Sequence, residues 1–312
     1  MAYQKSDVHI SQPLTNFALR YVQDKANMVA DKLAPQVPSK KESDKYFTYD
    51  RANWRITDDL RSPGDMPNRS NTPALSTSSF LIEEYSLYDI VPYRVIEDAD
   101  TPLQPKQDTA ADLLEQLMVA KEKRAADTLF ATAAAANYVA FSATVQWGYT
   151  STTTPINDFT TGIFSMIQEI GRKPNQATIG NAAWQTLKNH ADVLDRIKYT
   201  ERGILTPDLV AAVVDLDTIN LGVAVNMTTA PGIASEAVSY IWGKHVLIQY
   251  TNPRPSKKSM THATQFTKKG GTAQVKEFDK KENNGVWVEA GLYYDFKIVS
   301  TLCGYLMFDV VA

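Results

Sequence analysis

The period of the apolar and polar pattern changes several times along this chain of 312 residues. Residues 44–56, "DKYFTYDRANWRI", alternate with a period of two. Tyr46, Thr48, Asp50, Ala52 and Trp54 lie on one side, with Phe47, Tyr49, Arg51, Asn53 and Arg55 on the other. Residues 79–96, "SFLIEEYSLYDIVPYRVI", alternate again, and "RSPGDMPNRSNTP" (61–73) lies between them with Pro63, Gly64, Pro67 and Pro73. The combination predicts a long two-stranded ribbon with a charged, turn-rich tip. Fifteen extended residues reach roughly 50 Å at ~3.3 Å each, about the diameter of a compact body of this length. An isolated ribbon is marginal in water and its edges invite pairing. It must lie across its own body or across a neighbour.

Upstream, residues 15–35 predict one short helix around Asn16–Asp24 and a weak turn before Pro35, then "PQVPSKKESDK" reads as an extended connector. Downstream, residues 105–137 carry the clearest helical period, with Pro105 upstream and Asp108 or Thr109 as N-cap. Ala110, Leu114, Leu117, Met118, Ala125 and Leu129 share its apolar face. Lys121 interrupts that stripe, and Glu122, Lys123 and Arg124 fill the outer face. About 25 helical residues would run nearly 40 Å at ~1.5 Å each, a spine by globular standards. Residues 139–155 are β-prone. Residues 156–171 predict a helix with Ile156, Phe159, Ile163, Ile167 and Ile170 on one face and Gly171 as its C-terminal cap.

A strand is expected at 176–180, two short helices at 181–198, and a helix at 206–215 capped by Thr206 with Pro207 in its first turn. Residues 218–226 and 237–250 read as strands. The C-terminal third is strand-rich, with turns at "KKGG" and at "NNG", the latter a hairpin signal at Asn284–Gly285. This is an α+β pattern with a mixed α/β block over 156–250.

Composition narrows the picture mainly by exclusion. The formal net charge is -3, so no global basic field attracts nucleic acid. No apolar run reaches the ~20 residues a bilayer requires, and "MAYQKSDVHISQPL" has no apolar signal core. The single cysteine, Cys303, sits in an apolar strand-like run and reads as a core thiol. His9, His190, His245 and His262 are scattered without metal-ligand spacing, and no nucleophile elbow, P-loop or dinucleotide fingerprint occurs. The carboxylates of "EDAD" (97–100) and "DLDT" (215–218) read as caps or solvated faces. The pairs Lys257–Lys258, Lys268–Lys269 and Lys280–Lys281 read as protection of strand edges in preference to a nucleic-acid patch. Trp54, Trp184, Trp242 and Trp287 read as packing anchors, with Trp147 fitting less clearly. The expectation is a non-enzyme with no cofactor and no metal.

The order of parts, from arm through hairpin, spine helix and α/β block to a strand-rich return, resembles the major capsid proteins of tailed bacteriophages. Their fold, the HK-ninety-seven type, is shared with encapsulin shells. The similar stretches are "FALRYVQDKANMVADKLAPQVPSKKESDKYFTYD", "RSPGD", "YSLYDIVPYRVIEDAD", "GRKPNQATIGNAAWQTLKNHADVLDRIK", "YIWGKHVLIQYTNPRP" and "GYLMFDVV". The resemblance implies an N-terminal arm (1–43), an extended loop (44–95), a peripheral domain (96–155 with 262–300) and an axial domain (156–261 with 301–312). It implies hexamers and pentamers of this chain forming an icosahedral head shell around double-stranded DNA, assembled in the host cytoplasm. The ribbon would lie over a neighbouring subunit, with Arg61, Asp65, Arg69, Trp54 and Tyr85 as candidate inter-subunit contacts. Expected partners are a separate scaffolding protein, since the arm starts near Met1, and a portal and decoration proteins. An encapsulin-like compartment shell or another virion structural protein is the alternative.

Overall fold

Two five-stranded sheets and two short ribbons carry the described part of the chain. The computed structural model describes residues 27–312 except 50, 55, 57–58, 68–74, 100–102, 143, 150–152, 198–204, 230–236 and 270–272. The helix expected at Asn16–Asp24, His9 and Arg69 lie outside the described residues.

In chain order the elements are α1 (Ala30–Leu33), β1 (Gln36–Ser39), β2 (Ser43–Tyr49), β3 (Leu75–Leu81), β4 (Glu83–Pro92), α2 (Tyr93–Glu97) and α3 (Pro105–Leu129). Then come β5 (Asn137–Ala140), α4 (Pro155–Ile170), β6 (Gln176–Gly180), α5 (Asn181–Lys188), α6 (Ala191–Ile197), α7 (Pro207–Val214) and β7 (Thr218–Gly222). The chain continues with β8 (Val225–Met227), β9 (Val238–Tyr240), β10 (Val246–Gln249), β11 (Ala263–Lys268), β12 (Ala273–Lys280), β13 (Gly285–Ile298) and β14 (Gly304–Phe308).

The first sheet is organised by the 14-residue strand β13. Both β4 and β12 pair with its first half, so they occupy opposite edges, and Tyr294 pairs with Glu83 of β4 and Thr267 of β11. Strands β11 and β12 therefore run end to end along one edge, with β1 outside β11. Lys269 of the expected "KKGG" turn lies in a turn after β11, and Gly270 and Gly271 lie outside the described residues. The turn at Asn284–Gly285 is a hairpin, with Asn284 at a φ of 46°. Alternate residues of β4 and β13, among them Val91, Val288, Ala290, Leu292 and Tyr294, face Leu113 and Leu117 of α3.

The second sheet has the order β5-β14-β10-β6-β7, so the last strand is inserted beside one from residues 137–140. Helix α4 covers it with Ile156, Phe159, Ile163, Met166 and Ile170, a stripe of 3–4 residue spacing. It ends at Gly171, whose left-handed φ of 61° lets its N–H reach Ile167 O. Thr206 caps α7 by accepting from Leu209 N, and Pro207 occupies the first turn. The ends of these two helices match their sequence reading, but on α4 Met166 takes the buried place expected of Ile167, which is 40% exposed.

Three expectations need correction. Helix α3 begins at Pro105 with Gln104 as its cap, ahead of Asp108 and Thr109. Proline's fixed φ suits the first helical position, and Asp108 instead faces the positive end of the helix dipole. Glu122 is inside, not on the outer face, beside Lys121, which is buried within the apolar stripe it was expected to interrupt. The ribbon is also shorter than expected, because β2 pairs only with β3 over seven residues, Ser43↔Leu81 to Tyr49↔Leu75. That spans about 23 Å at ~3.3 Å per residue. The remaining alternation, Glu83–Pro92, instead forms ten pairs with β13 and buries Val91 under α3.

Candidate assembly surfaces

The root of the β2–β3 ribbon is fixed to the first sheet by aromatic stacking and by lysines. The Phe80 ring lies parallel to Phe266 at 3.9 Å, and Tyr46 approaches the same ring at 5.6 Å. Lys257 Nζ donates to Asp44 Oδ2 at 2.6 Å and to Ser39 Oγ at 3.2 Å, and lies over the Phe80 ring. That bond holds the Asp44 carboxyl below its usual range. Lys258 sits over Phe47, and Lys268 Nζ contacts Glu42 Oε1 at 2.9 Å. Leu81 N–H donates to Asp295 Oδ2. Three of the six paired lysines are thus clamps on the ribbon, a role between the two weighed from sequence. Exposed ion pairs contribute little singly, so the buried rings supply most of the anchoring.

Beyond β2, the ribbon expectation gives way to a 3-10 turn, Arg51–Trp54. Arg51 Nη1 donates to Glu169 Oε2 on α4. Trp54 is half-exposed over the end of α4, where a Cβ on Gly171 would lie 3.5 Å from its ring. Its reading as a packing anchor therefore fails. A cavity of about 200 Å³ separates this turn from the body, lined by Phe47, Trp54, Ile170, Met260 and Leu302 among others. Arg61 and Asp65 share one tight turn: Arg61 Nε donates to Asp65 O at 2.7 Å, and Asp65 N–H donates to Ser62 O. Gly64, at φ 94°, permits that turn. Around it Ile56, Leu60 and Met66 are 101%, 83% and 91% exposed.

Tyr85 has a different setting. It stands on β4 with the Arg124 guanidinium 3.9 Å over its ring and Tyr294 at 4.8 Å. Burial, with Glu83 as hydrogen-bond partner, pushes its hydroxyl up to about 12. The structure brings Trp54, Arg61 and Asp65 into one exposed segment and leaves Tyr85 inside the first sheet's packing.

A junction that sequence reasoning missed lies where α1, α3 and the turn before β10 meet. Glu122, 2% exposed, accepts from Ala30 N–H through Oε1 and from Trp242 Nε1–H through Oε2, both at 2.8 Å. Burial pushes its carboxyl up to about 7, while the two donors pull the other way. Lys121 beside it pairs with Asp31. Periodicity put Lys121 in the apolar stripe but hid Glu122, because α3 is covered on two sides. Three histidines lie in or beside the packing. His262 is fully buried and burial holds it down at about 4. His245 accepts from Asp309 N–H and stacks on Phe308. His190 meets Thr153 Oγ1. Trp147 is buried, donating to Asp158, so it is a firmer anchor than its sequence setting suggested. Among the described residues no group of three or more His, Cys, Asp or Glu could hold a metal ion.

Comparison with known proteins gives this architecture its relatives. No family model matches the chain. It is 27% identical over 248 residues to the major capsid protein of Burkholderia phage BcepMu, covering 78% of each chain. It is 25% identical over 246 residues to the major capsid protein of Pseudomonas phage JBD67, covering 77% of each. Among solved structures it is similar to a phage-related protein from Bordetella bronchiseptica RB50, with a TM-score of 0.73, 20% identity and 92% and 94% of the two chains covered. The capsid of cyanophage P-SCSP1u follows with a TM-score of 0.56, 11% identity and 88% and 86% covered. An encapsulin of Synechococcus elongatus shares the fold at 0.52, with 8% identity and 96% of each chain covered. This chain has the HK-ninety-seven-type fold of tailed-phage major capsid proteins, and its curated relatives by sequence are major capsid proteins of phages.

Proposed function

We propose that this chain is the structural subunit of a phage head, assembling with copies of itself into hexamers and pentamers that close an icosahedral shell. The sequence similarity to two phage major capsid proteins carries this reading, because the fold alone is shared with an encapsulin. In the proposed arrangement the ribbon, with the segment around Arg61 and Asp65, lies over a neighbouring subunit. The first sheet with α3 is the peripheral part, and the second sheet with α4–α7 is the axial part. Heterologous contacts that close around five-fold and six-fold axes give a finite shell in place of a fibre. Double-stranded DNA is the proposed contents, held without sequence preference. A separate scaffolding protein, a portal and decoration proteins are the proposed partners, and the host cytoplasm is the proposed place of assembly.

The test is a deletion of residues 58–72. The body should keep its thermal unfolding midpoint, because the root residues Tyr46, Phe80 and Phe266 lie outside the deletion. Regular shells should no longer form. Closed shells of normal diameter from the deleted chain would refute the proposed role of the segment.

A further inference from the structure

Two of the apolar cores of this chain come close without merging. The core at the root of the β2–β3 ribbon holds Tyr46, Phe80 and Phe266, and Val299 packs against it. The core of the second sheet holds Ile170, and Met260 and Leu302 pack against it. Val299, Ile170, Met260 and Leu302 all line the cavity of about 200 Å³ beside the Arg51–Trp54 turn, so this cavity is the gap between the two cores. Phe47 and Trp54 complete its apolar lining, and the Arg51–Glu169 ion pair stands beside them. Protein interiors are close-packed, so lining atoms that face a void forgo dispersion contacts they would otherwise make.

Size and chemistry select what fits. An engineered cavity of ~150 Å³ lined by Leu, Ile and Phe stays dry and takes benzene. A gap of about 200 Å³ has room for one or two fused rings, and it is smaller than the ~300 Å³ at which drug-sized sites begin. Its two charged groups already neutralise each other, so a charged guest would lose its hydration and gain no partner. Ser259 Oγ is committed, donating to Ser256 O. The Thr48 hydroxyl lines the cavity and has no partner among the described residues, which leaves it to meet a polar atom of a guest.

We infer that this cavity is a binding site for a small neutral aromatic molecule, one or two rings carrying a single polar atom. Its occupant touches Ile170, Met260 and Leu302 from one core and Val299 from the other. Binding therefore joins the ribbon root to the second sheet and stabilises the folded chain by mass action. The site belongs to the single chain and does not depend on assembly, so its failure would leave the capsid reading untouched.

The experiment adds indole to the full-length, unassembled chain whose methionines carry isotope-labelled methyl groups, followed by nuclear magnetic resonance. The Met260 signal is identified by its loss in Met260→Leu. Met66 and Met227 are exposed elsewhere on the chain and report non-specific association. The expected result is a Met260 signal that moves and saturates as indole is added, with Met66 and Met227 unmoved, and a thermal midpoint that rises in parallel. A Met260 signal that stays in place up to the solubility limit of indole, or that moves no more than those of Met66 and Met227, overturns the inference. Leu302→Trp fills the space and should weaken indole binding about tenfold or more; unchanged affinity would put the indole elsewhere and overturn the site. Indole carboxylate, with the same rings and a charge, should likewise bind about tenfold or more weakly. Equal affinity would contradict a buried seat between the two cores. The Met260 signal is read on the unsubstituted chain, so it decides the matter even where Leu302→Trp does not fold.

Discussion

Replacing Glu122 with Gln keeps the volume of the side chain and removes its charge, which makes the energetics of this junction measurable. The carboxyl is buried between Ala30 N–H and Trp242 Nε1–H, and its ordinary value of 4.5 is pushed up to about 7, chiefly by burial. Below pH 4.5 the folded and unfolded chains both hold the proton and the group contributes nothing. Between 4.5 and 7 the folded chain keeps a proton that the unfolded chain has released, so stability falls as pH rises. Above 7 both are ionised and the full cost stands, about 3 kcal/mol at ~1.4 kcal/mol per pH unit. Gln carries none of this dependence. Its amide leaves one N–H donor facing another donor, a loss of roughly 1–3 kcal/mol at every pH. The stability of Glu122→Gln minus that of the natural chain should therefore rise by about 2–3 kcal/mol between pH 5 and pH 8. The assay is urea unfolding of the unassembled chain, followed by tryptophan fluorescence and circular dichroism. Taking the difference removes the other titrating groups, provided they act independently. Parallel pH profiles for the two proteins would refute the reasoning, since Glu122 would then titrate alike in both states.

His262 gives the opposite slope. Burial holds it at about 4 against an ordinary 6.5, so the unfolded chain takes up the proton first. Stability should be lost as pH falls from 6.5 to 4, by about 3 kcal/mol, and a proton-titration signal for the His262 ring near 6.5 would contradict this. Gly304→Ala would place a Cβ 2.3 Å from the same ring. Overpacking there should lower stability by about 1–3 kcal/mol or more, so an unchanged thermal midpoint would show that the ring can move aside. Phe80→Ala removes a buried ring stacked on Phe266 and should cost roughly 3–5 kcal/mol, with faster proteolysis across residues 43–81. Equal cleavage rates would mean the lysine clamps alone hold the ribbon.

What could be read in advance followed from whether one period governs a segment. Helices α4 and α7 bury one stripe and carry their own caps, so Gly171, Thr206 and Pro207 marked their ends. The hairpin at Asn284 was legible because a positive φ suits Asn and Gly. Residues 79–96 were not, because alternation gives a strand's faces and says nothing of its partner. The break between β3 and β4 falls at Ile82, a buried residue inside an unbroken apolar pattern. The burial of Glu122 was hidden for a related reason: its partners, Ala30 and Trp242, lie about 90 and 120 residues away. The exposed turn that holds Arg61 and Asp65 was legible because Pro, Gly and charge together signal one. Tyr85 shows the limit of that logic, since its aromatic ring suits a neighbour's surface and its own sheet equally well.

The central claim, that copies of this chain build a closed shell, is tested most directly by electron microscopy of the full-length protein, with light scattering for mass. The measurement is made with and without a candidate scaffolding protein. The account predicts closed shells of regular diameter or capsomer rings of five and six copies. A monodisperse monomer at every salt concentration, unchanged by the scaffold, would contradict it.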